Sequence, residues 1–266
     1  MRLLMTIIAS IAVLLALAIF AAGPGTRFGL WDYGTGLTII REVSAPKKIA
    51  DGISLSPLFT VGGLALLGAI VAAVMKQGRA ARLGAIGFIA AALAAAPPIM
   101  MKSAFEKNPF IHEVTTDFDN PPAIVAAADL PRKNPAEYEG AVALPQATDG
   151  TTNEEAQKKA FPDIAPIVVA SELQSAAAVA RDIVEAMGMR VLAEGPADSD
   201  AGGGWRIEAV ATSTWFGFKD DFIVRLTPEE GKTRVDLRSK SRVGGSDLGA
   251  NAKRVRTFMK RFDAAI

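Results

Sequence analysis

Three stretches without a charged residue constrain this chain more than anything else in it: Leu3 to Ala22, Pro57 to Met75 and Leu83 to Met101. Each holds about 20 residues, and at roughly 1.5 Å of rise per residue each crosses the roughly 30 Å hydrocarbon layer as one helix. Residues 1–101 therefore read as a membrane anchor of three transmembrane helices, 3–22, 57–75 and 83–101. Arg2 and the small residues Ala21-Ala22-Gly23 also fit a cleaved signal peptide, but the apolar run exceeds a usual signal core, which favours a retained span.

Orientation follows from the flanks. Arg2 and the loop with Lys76, Arg79 and Arg82 carry four bases and no acid, whereas the four bases between Gly23 and Ser56 are diluted by Asp32, Glu42 and Asp51. The denser positive charge marks the cytoplasmic side, which puts the N-terminus inside and everything after Met101 outside. The expected location is a bacterial inner membrane, with the C-terminal domain in the periplasm. The spans hold no ionisable residue, so neither an ion pathway nor a proton relay is expected. Ala65, Ala69 and Ala73, and Gly87, Ala91 and Ala95, form small-residue rows that let helices approach closely. Phe28, Trp31 and Tyr33 read as an interfacial aromatic belt.

Residues 102–266 are enough for one domain. The chain has no cysteine and one histidine, His112, which excludes disulfides, thiolate metal sites, a cysteine nucleophile and any chemistry needing two imidazoles. No cofactor is expected. From Lys102 to Glu230 there are 11 bases against 22 acids, and from Gly231 to Ile266 10 bases against 3 acids, so the two parts attract one another.

Ile111 to Asp117 alternates loosely as a strand. A Pro-rich excursion over 129–166 follows, without a clear period. Ser171 with Gln174 resembles a capping box, and Leu173, Ala177, Ala180, Val184 and Met187 recur at helical spacing up to Gly188. A short run at Arg190–Ala193 precedes three strands, 205–214, 220–227 and 233–241, read as an antiparallel meander. In the last, Val235 and Leu237 share a face with Ser239 and Ser241, while Arg234, Asp236, Arg238, Lys240 and Arg242 point the other way. A final helix capped by Ser246 would bury Leu248, Val255, Met259 and Phe262. The fold class is α+β: an antiparallel sheet packed by two helices.

Four blocks carry a resemblance: Ile-His-Glu-Val-Thr-Thr-Asp-Phe-Asp-Asn-Pro-Pro (111–122), Phe-Pro-Asp-Ile-Ala-Pro (161–166), Trp-Phe-Gly-Phe-Lys-Asp-Asp (215–221) and the stretch from Val235 to Arg254. Their wording and order resemble the domain of unknown function 1499 family, over about residues 108–264. The resemblance implies a secreted or membrane-tethered domain and hands over no catalytic residue.

The densest polar signal is a basic strand end running through two glycines into a helix start. Free amides at a helix N-terminus and arginine forks suit an anion, so Arg238, Ser241, Arg242, Gly244, Gly245, Ser246 and Asn251 form a candidate ligand site. The same arginines could instead pair with Asp236, Glu208 or Asp221. Ser239, His112 and Asp117 are the weak catalytic candidates, and Asp117, Asp119, Asp220 and Asp221 a weak hard-cation set. Lys253, Arg254, Arg256, Lys260 and Arg261 make the last helix basic. An external position removes nucleic acid as its partner and leaves anionic lipid headgroups. The expected function is a membrane-anchored module that binds an anionic or amphiphilic ligand, an anionic lipid or an envelope protein; an envelope hydrolase using Ser239 or a metal is the alternative.

Overall fold

The protein is described by a computed structural model over residues 1–197 and 204–266. The chain divides into two compact units: Met1–Ser103 with Thr214–Gly217, and Ala104–Ser213 with Phe218–Ile266. The mixed α+β architecture is the one expected.

In the first unit, the apolar stretches form helices α1 (Arg2–Arg27), α3 (Pro57–Val74) and α4 (Gly78–Lys107), each long and apolar enough to cross a membrane. Between α1 and α3 lie helix α2 (Tyr33–Ser44), capped by Asp32, and a two-stranded hairpin, β1 (Lys47–Ala50) and β2 (Ile53–Leu55). Sequence reasoning overlooked these because they are short and sit between stronger signals. Small residues pack the spans on one another: a methyl on Gly87 would lie 3.0 Å from Ala9 Cα, and one on Gly84 2.7 Å from the Ala65 carbonyl. The contact row of α3 is Leu58, Gly62, Ala65, Ala69 and Ala72, with Ala69 Cβ 2.8 Å from a methyl placed on Gly84; of the expected row only Ala73 leaves it, because 3.6-residue periodicity carries it round to the exposed side. Trp31 folds back to donate to the Ala22 carbonyl (3.1 Å), whereas Phe28 is exposed.

The second unit is built on a six-stranded antiparallel sheet of β3 (Glu113–Thr115), β4 (Ile167–Val169), β5 (Arg190–Ala197), β6 (Gly204–Thr212), β7 (Lys219–Glu229) and β8 (Lys232–Ser241). The order is β3-β8-β7-β6-β5, and β4 pairs with the first half of β8, on residues 233–235. Strong β-branched and aromatic alternation makes β6 to β8 the meander that the sequence predicts. One sheet face meets helices α6 (Leu173–Ala186) and α7 (Ala250–Ala265). Ile207, Phe222, Val224, Leu226, Val235 and Leu237 pack there against Ala177, Val184, Val255, Phe258 and Phe262.

Several local expectations change. The excursion over 129–166 contains helix α5 (Asn153–Ala160), whose capping box is Thr152 with Glu155. Ser171–Gln174 is no such box, since α6 starts from Glu172 without a side-chain cap. Helix α7 begins at Ala250, after Gly249 in a left-handed conformation, so Ser246 and Leu248 lie in the preceding turn. Its inward stripe accordingly uses Phe258, with Met259 only partly buried. Gln157 on α5 donates to the Thr115 carbonyl (2.6 Å) and accepts from the Thr115 amide (3.0 Å), closing part of the β3 edge in place of another strand.

Leu237 is fully buried between β8 and the helices. Leu237→Ala is expected to lower stability by about 2–5 kcal/mol in a chemical-denaturation series. A change near zero would place the strand one residue out of register.

Candidate functional site

The sheet face opposite the helices is charged, and it is also covered. Arg225 on β7, Asp236, Arg238, Lys240 and Arg242 on or just past β8, Glu208 on β6 and Glu113 on β3 are all buried. The cover is the irregular segment after β3: Ile124 and Ala127 pack on Ile223, with Leu130, Ala136 and Leu192 around them. Lys240 lies on the face opposite Val235 and Leu237, as the alternation predicts, and is nevertheless fully buried, because strand alternation distinguishes two faces without revealing what lies over either.

Each charge has been met individually. Arg238 donates to Glu113 Oε2 through Nε (3.1 Å) and Nη2 (2.8 Å), and to the carbonyls of Pro122, Ala136 and Glu137. Lys240 Nζ lies 3.2 Å from Glu113 Oε1 and 2.8 Å from Glu139 Oε2, and donates to the Glu137 carbonyl (2.7 Å). Arg242 grips Asp221 Oδ1 through Nε (2.9 Å) and Nη2 (2.6 Å), while Arg132 holds Oδ2 at 3.2 Å. Arg225 and Arg234 share Asp117 and Asp236. Glu208 accepts from the amides of Val125, Ala126 and Ala127 and pairs with Arg206. Arg225 Nε and Nη1 are buried and have no protein partner.

Of the candidate ligand residues, Arg238, Ser241, Arg242 and Asn251 are buried, Gly244 and Ser246 are half-buried, and Gly245 is exposed. Asn251 Nδ2 donates to the His112 carbonyl (2.9 Å) and to Ser241 Oγ (3.1 Å). Gly244 has φ +90° and its carbonyl accepts from Asn134, and a side chain on Gly245 would run into the Phe110 ring. Ser246 Oγ accepts from the Leu248 amide (3.2 Å). The amides of Gly249 and Asn251 donate to Asp247 (2.8 Å each), so the chain's own carboxylate occupies the start of α7.

The catalytic candidates are not brought together. Ser239 Oγ is fully buried, donating to Asn251 Oδ1 (2.7 Å) and accepting from Arg254 Nη1 (2.8 Å). His112 Nε2 lies against Glu139 (2.9 Å), and Asp117 against its two arginines. The acidic turns are likewise separate: Asp220 pairs with Arg254, Asp221 with Arg132 and Arg242, and the Asp119 amide donates to Asp117. His112, Glu113 and Glu139, a set sequence reasoning missed, place ligand atoms within 4.8 Å of one another. Lys240 Nζ bonds to both of these carboxylates, so an ammonium already supplies the cation there. Only the β3–β8 pairing of Glu113 with Lys240 would have revealed the set.

Burial acts to raise the Glu139 pKa, but hydrogen bonds and charge from Lys240 and His112 outweigh it and hold the carboxyl below the usual range. Asp247 goes the other way: burial pushes it up, against the two amides that favour its charged form.

With the geometry in view, a family profile described as a protein of unknown function (DUF1499) matches residues 113–262, more than half of the chain. The chain belongs to this family. The DUF1499 match covers the sheet, its helices and the buried charge layer. No curated protein and no solved structure matches.

Removing Lys240 takes away the cation between buried Glu113 and half-buried Glu139, leaving Arg238 and His112 as their remaining partners. Lys240→Ala is therefore expected to cost about 3–5 kcal/mol by thermal or chemical unfolding. A depressed folded pKa contributes stability above the unfolded value that disappears as pH falls through the folded one. The Glu139 contribution should fade from pH 4.5 downward in the parent and be diminished in Lys240→Ala.

Proposed function

We propose that this DUF1499 protein is a membrane-anchored binding module whose C-terminal domain lies outside the cytoplasmic membrane and takes an anionic or amphiphilic ligand along the outer surface of α7. The observation that carries this reading is an open, basic strip along the outer face of α7, formed by Lys253, Arg256, Thr257, Lys260, Arg261 and Ala264. Arg256 is committed to Asp163, and Arg261 donates to the Ala186 carbonyl, which fixes two cationic arms in place. Lys253 and Lys260 are exposed on the same face. Clustered bases beside apolar stems suit a phosphate or carboxylate on an amphiphile, with attraction that falls as salt rises. The site moves from the β8–α7 turn to the helix because the arginines near the turn are engaged with Glu113 and Asp221.

The test uses the full chain in zwitterionic nanodiscs with short-chain phosphatidylglycerol as probe and short-chain phosphatidylcholine as control. Binding selective for the anionic probe is expected, and K253E/K260E should weaken it about tenfold or more with an unchanged melting temperature. Arg242→Gln should lower the melting temperature by loosening Asp221 while leaving probe affinity intact. Equal binding of both probes, or indifference to the lysine reversals, would overturn the outer face of α7 as the site.

The expected topology rests on Arg2, Lys76, Arg79 and Arg82. A reporter active only in the periplasm should be active when fused at Ile266 and silent at Gln77. The reverse pattern would invert the assignment.

A further inference from the structure

The β1–β2 hairpin presents an apolar face that no part of its own unit covers. Lys47 pairs with Leu55, Lys48 with Ser54 and Ala50 with Ile53, and the register shift between Lys48 and Ala50 leaves Ile49 as the extra residue opposite Ile53. Paired residues of an antiparallel ribbon share a face, and a bulge keeps its two residues on nearly the same side. Ile49, Ile53 and Leu55 therefore project together, and Lys48 with Ser54 projects the other way. The three apolar side chains are 65%, 54% and 44% exposed. An isolated two-stranded ribbon is marginal in water, so this face needs a surface.

We infer that the hairpin is an interfacial membrane-binding element, with Ile49, Ile53 and Leu55 set into the boundary between lipid headgroups and acyl chains and Lys48 and Ser54 turned to water. Continuity selects the bilayer as the occupant: Leu55 is followed directly by Ser56, the N-cap of α3, and by Pro57, the first residue of a membrane-length helix. A segment that ends where a span begins starts at the lipid surface. Charge agrees with this placement. Lys47, the cation on the apolar face, is paired with Glu42 of α2, and Lys48 on the opposite face is bridged to Asp51 (2.6 Å) in the turn. Shallow burial of an amphipathic element to a depth of about 5–10 Å requires this division of faces. The inference goes beyond ligand binding by the DUF1499 domain and holds for either orientation of the chain.

The absence of native cysteine makes the test direct. Ile53→Cys, Ile49→Cys and Ser54→Cys variants of the full chain, each labelled with an environment-sensitive fluorophore, are reconstituted in phosphatidylcholine–phosphatidylglycerol vesicles. Quenching by aqueous iodide is compared with quenching by lipids carrying a nitroxide near the headgroup. Labels at 53 and 49 should emit to the blue, be quenched by the lipid nitroxide and be shielded from iodide several-fold more than the label at 54, which should show the opposite order. Equal iodide access at 53 and 54 would overturn the inference. Shielding of 49 and 53 from both quenchers would also overturn it, because a protein surface would then be the occupant.

Discussion

Burying Arg238 and Lys240 strips each ion of its hydration, at a cost of several kcal/mol per charge, and only well-placed partners recover it. Strand β8 supplies almost none of those partners. They come from β3 through Glu113, and from the irregular segment through Glu139 and the carbonyls of Pro122, Ala136 and Glu137. The segment cannot lie elsewhere without orphaning these ions. Its course over the sheet is therefore set by electrostatics, with the small Ile124–Ala127–Ile223 cluster adding apolar contact. Arg132 and Asn134 extend the same logic to the strand end, one holding Asp221 and the other the carbonyls of Ser241 and Gly244.

Such a layer is weak evidence for stability, since well-packed apolar residues of similar volume often serve as well. Its distinctive consequence is specificity. An apolar contact tolerates a shift of an ångström, whereas the two-nitrogen grip of Arg242 on Asp221 Oδ1 does not. Among the described residues, the buried side-chain atoms without a protein partner are Arg225 Nε and Nη1, which lie where two carboxylates already share a single guanidinium nitrogen, Nη2. Asp117 and Asp236 hold one corner of that guanidinium.

What was legible in the sequence follows from range. The spans, the meander and α6 are carried by periods within 10 to 20 consecutive residues, and so could be read directly. The alternation of Val235 and Leu237 against Asp236, Arg238 and Lys240 placed β8 in register. It carried no information on the cover, because the covering segment has no period and its bonds link residues about 100 positions apart, as in Lys240 with Glu139. The Thr152–Glu155 box obeys the same rule as Ser171–Gln174, yet lies among prolines that read as loop. At the candidate site the signal was one of short range, a basic strand end leading through two glycines to a helix start. The carboxylates of Asp247 and Glu113, which compete for the donors that an outside anion would need, include one that lies more than 100 residues away.

The same accounting separates the basic residues of the C-terminal stretch into two populations. Ten bases against three acids from Gly231 onward suggest a strongly positive surface. Arg234, Arg238, Lys240, Arg242 and Arg254 are bonded to Asp117, Glu113, Asp221 and Asp220 of the preceding part, however, and five of the ten charges are thereby spent inside the domain. The attraction between an acidic first part and a basic second part is thus internal, realised residue by residue across the sheet. Any field presented outward near α7 comes from Lys253, Arg256, Lys260 and Arg261, with Arg256 partly neutralised by Asp163 and the exposed Asp263 offsetting one further charge on the same helix. Recognition there has to rely on a few charges spaced along one helix face, and the apolar stems beside them contribute as much surface as the charged tips. That balance matches an amphiphile better than a bare polyanion, whose binding depends on charge density alone.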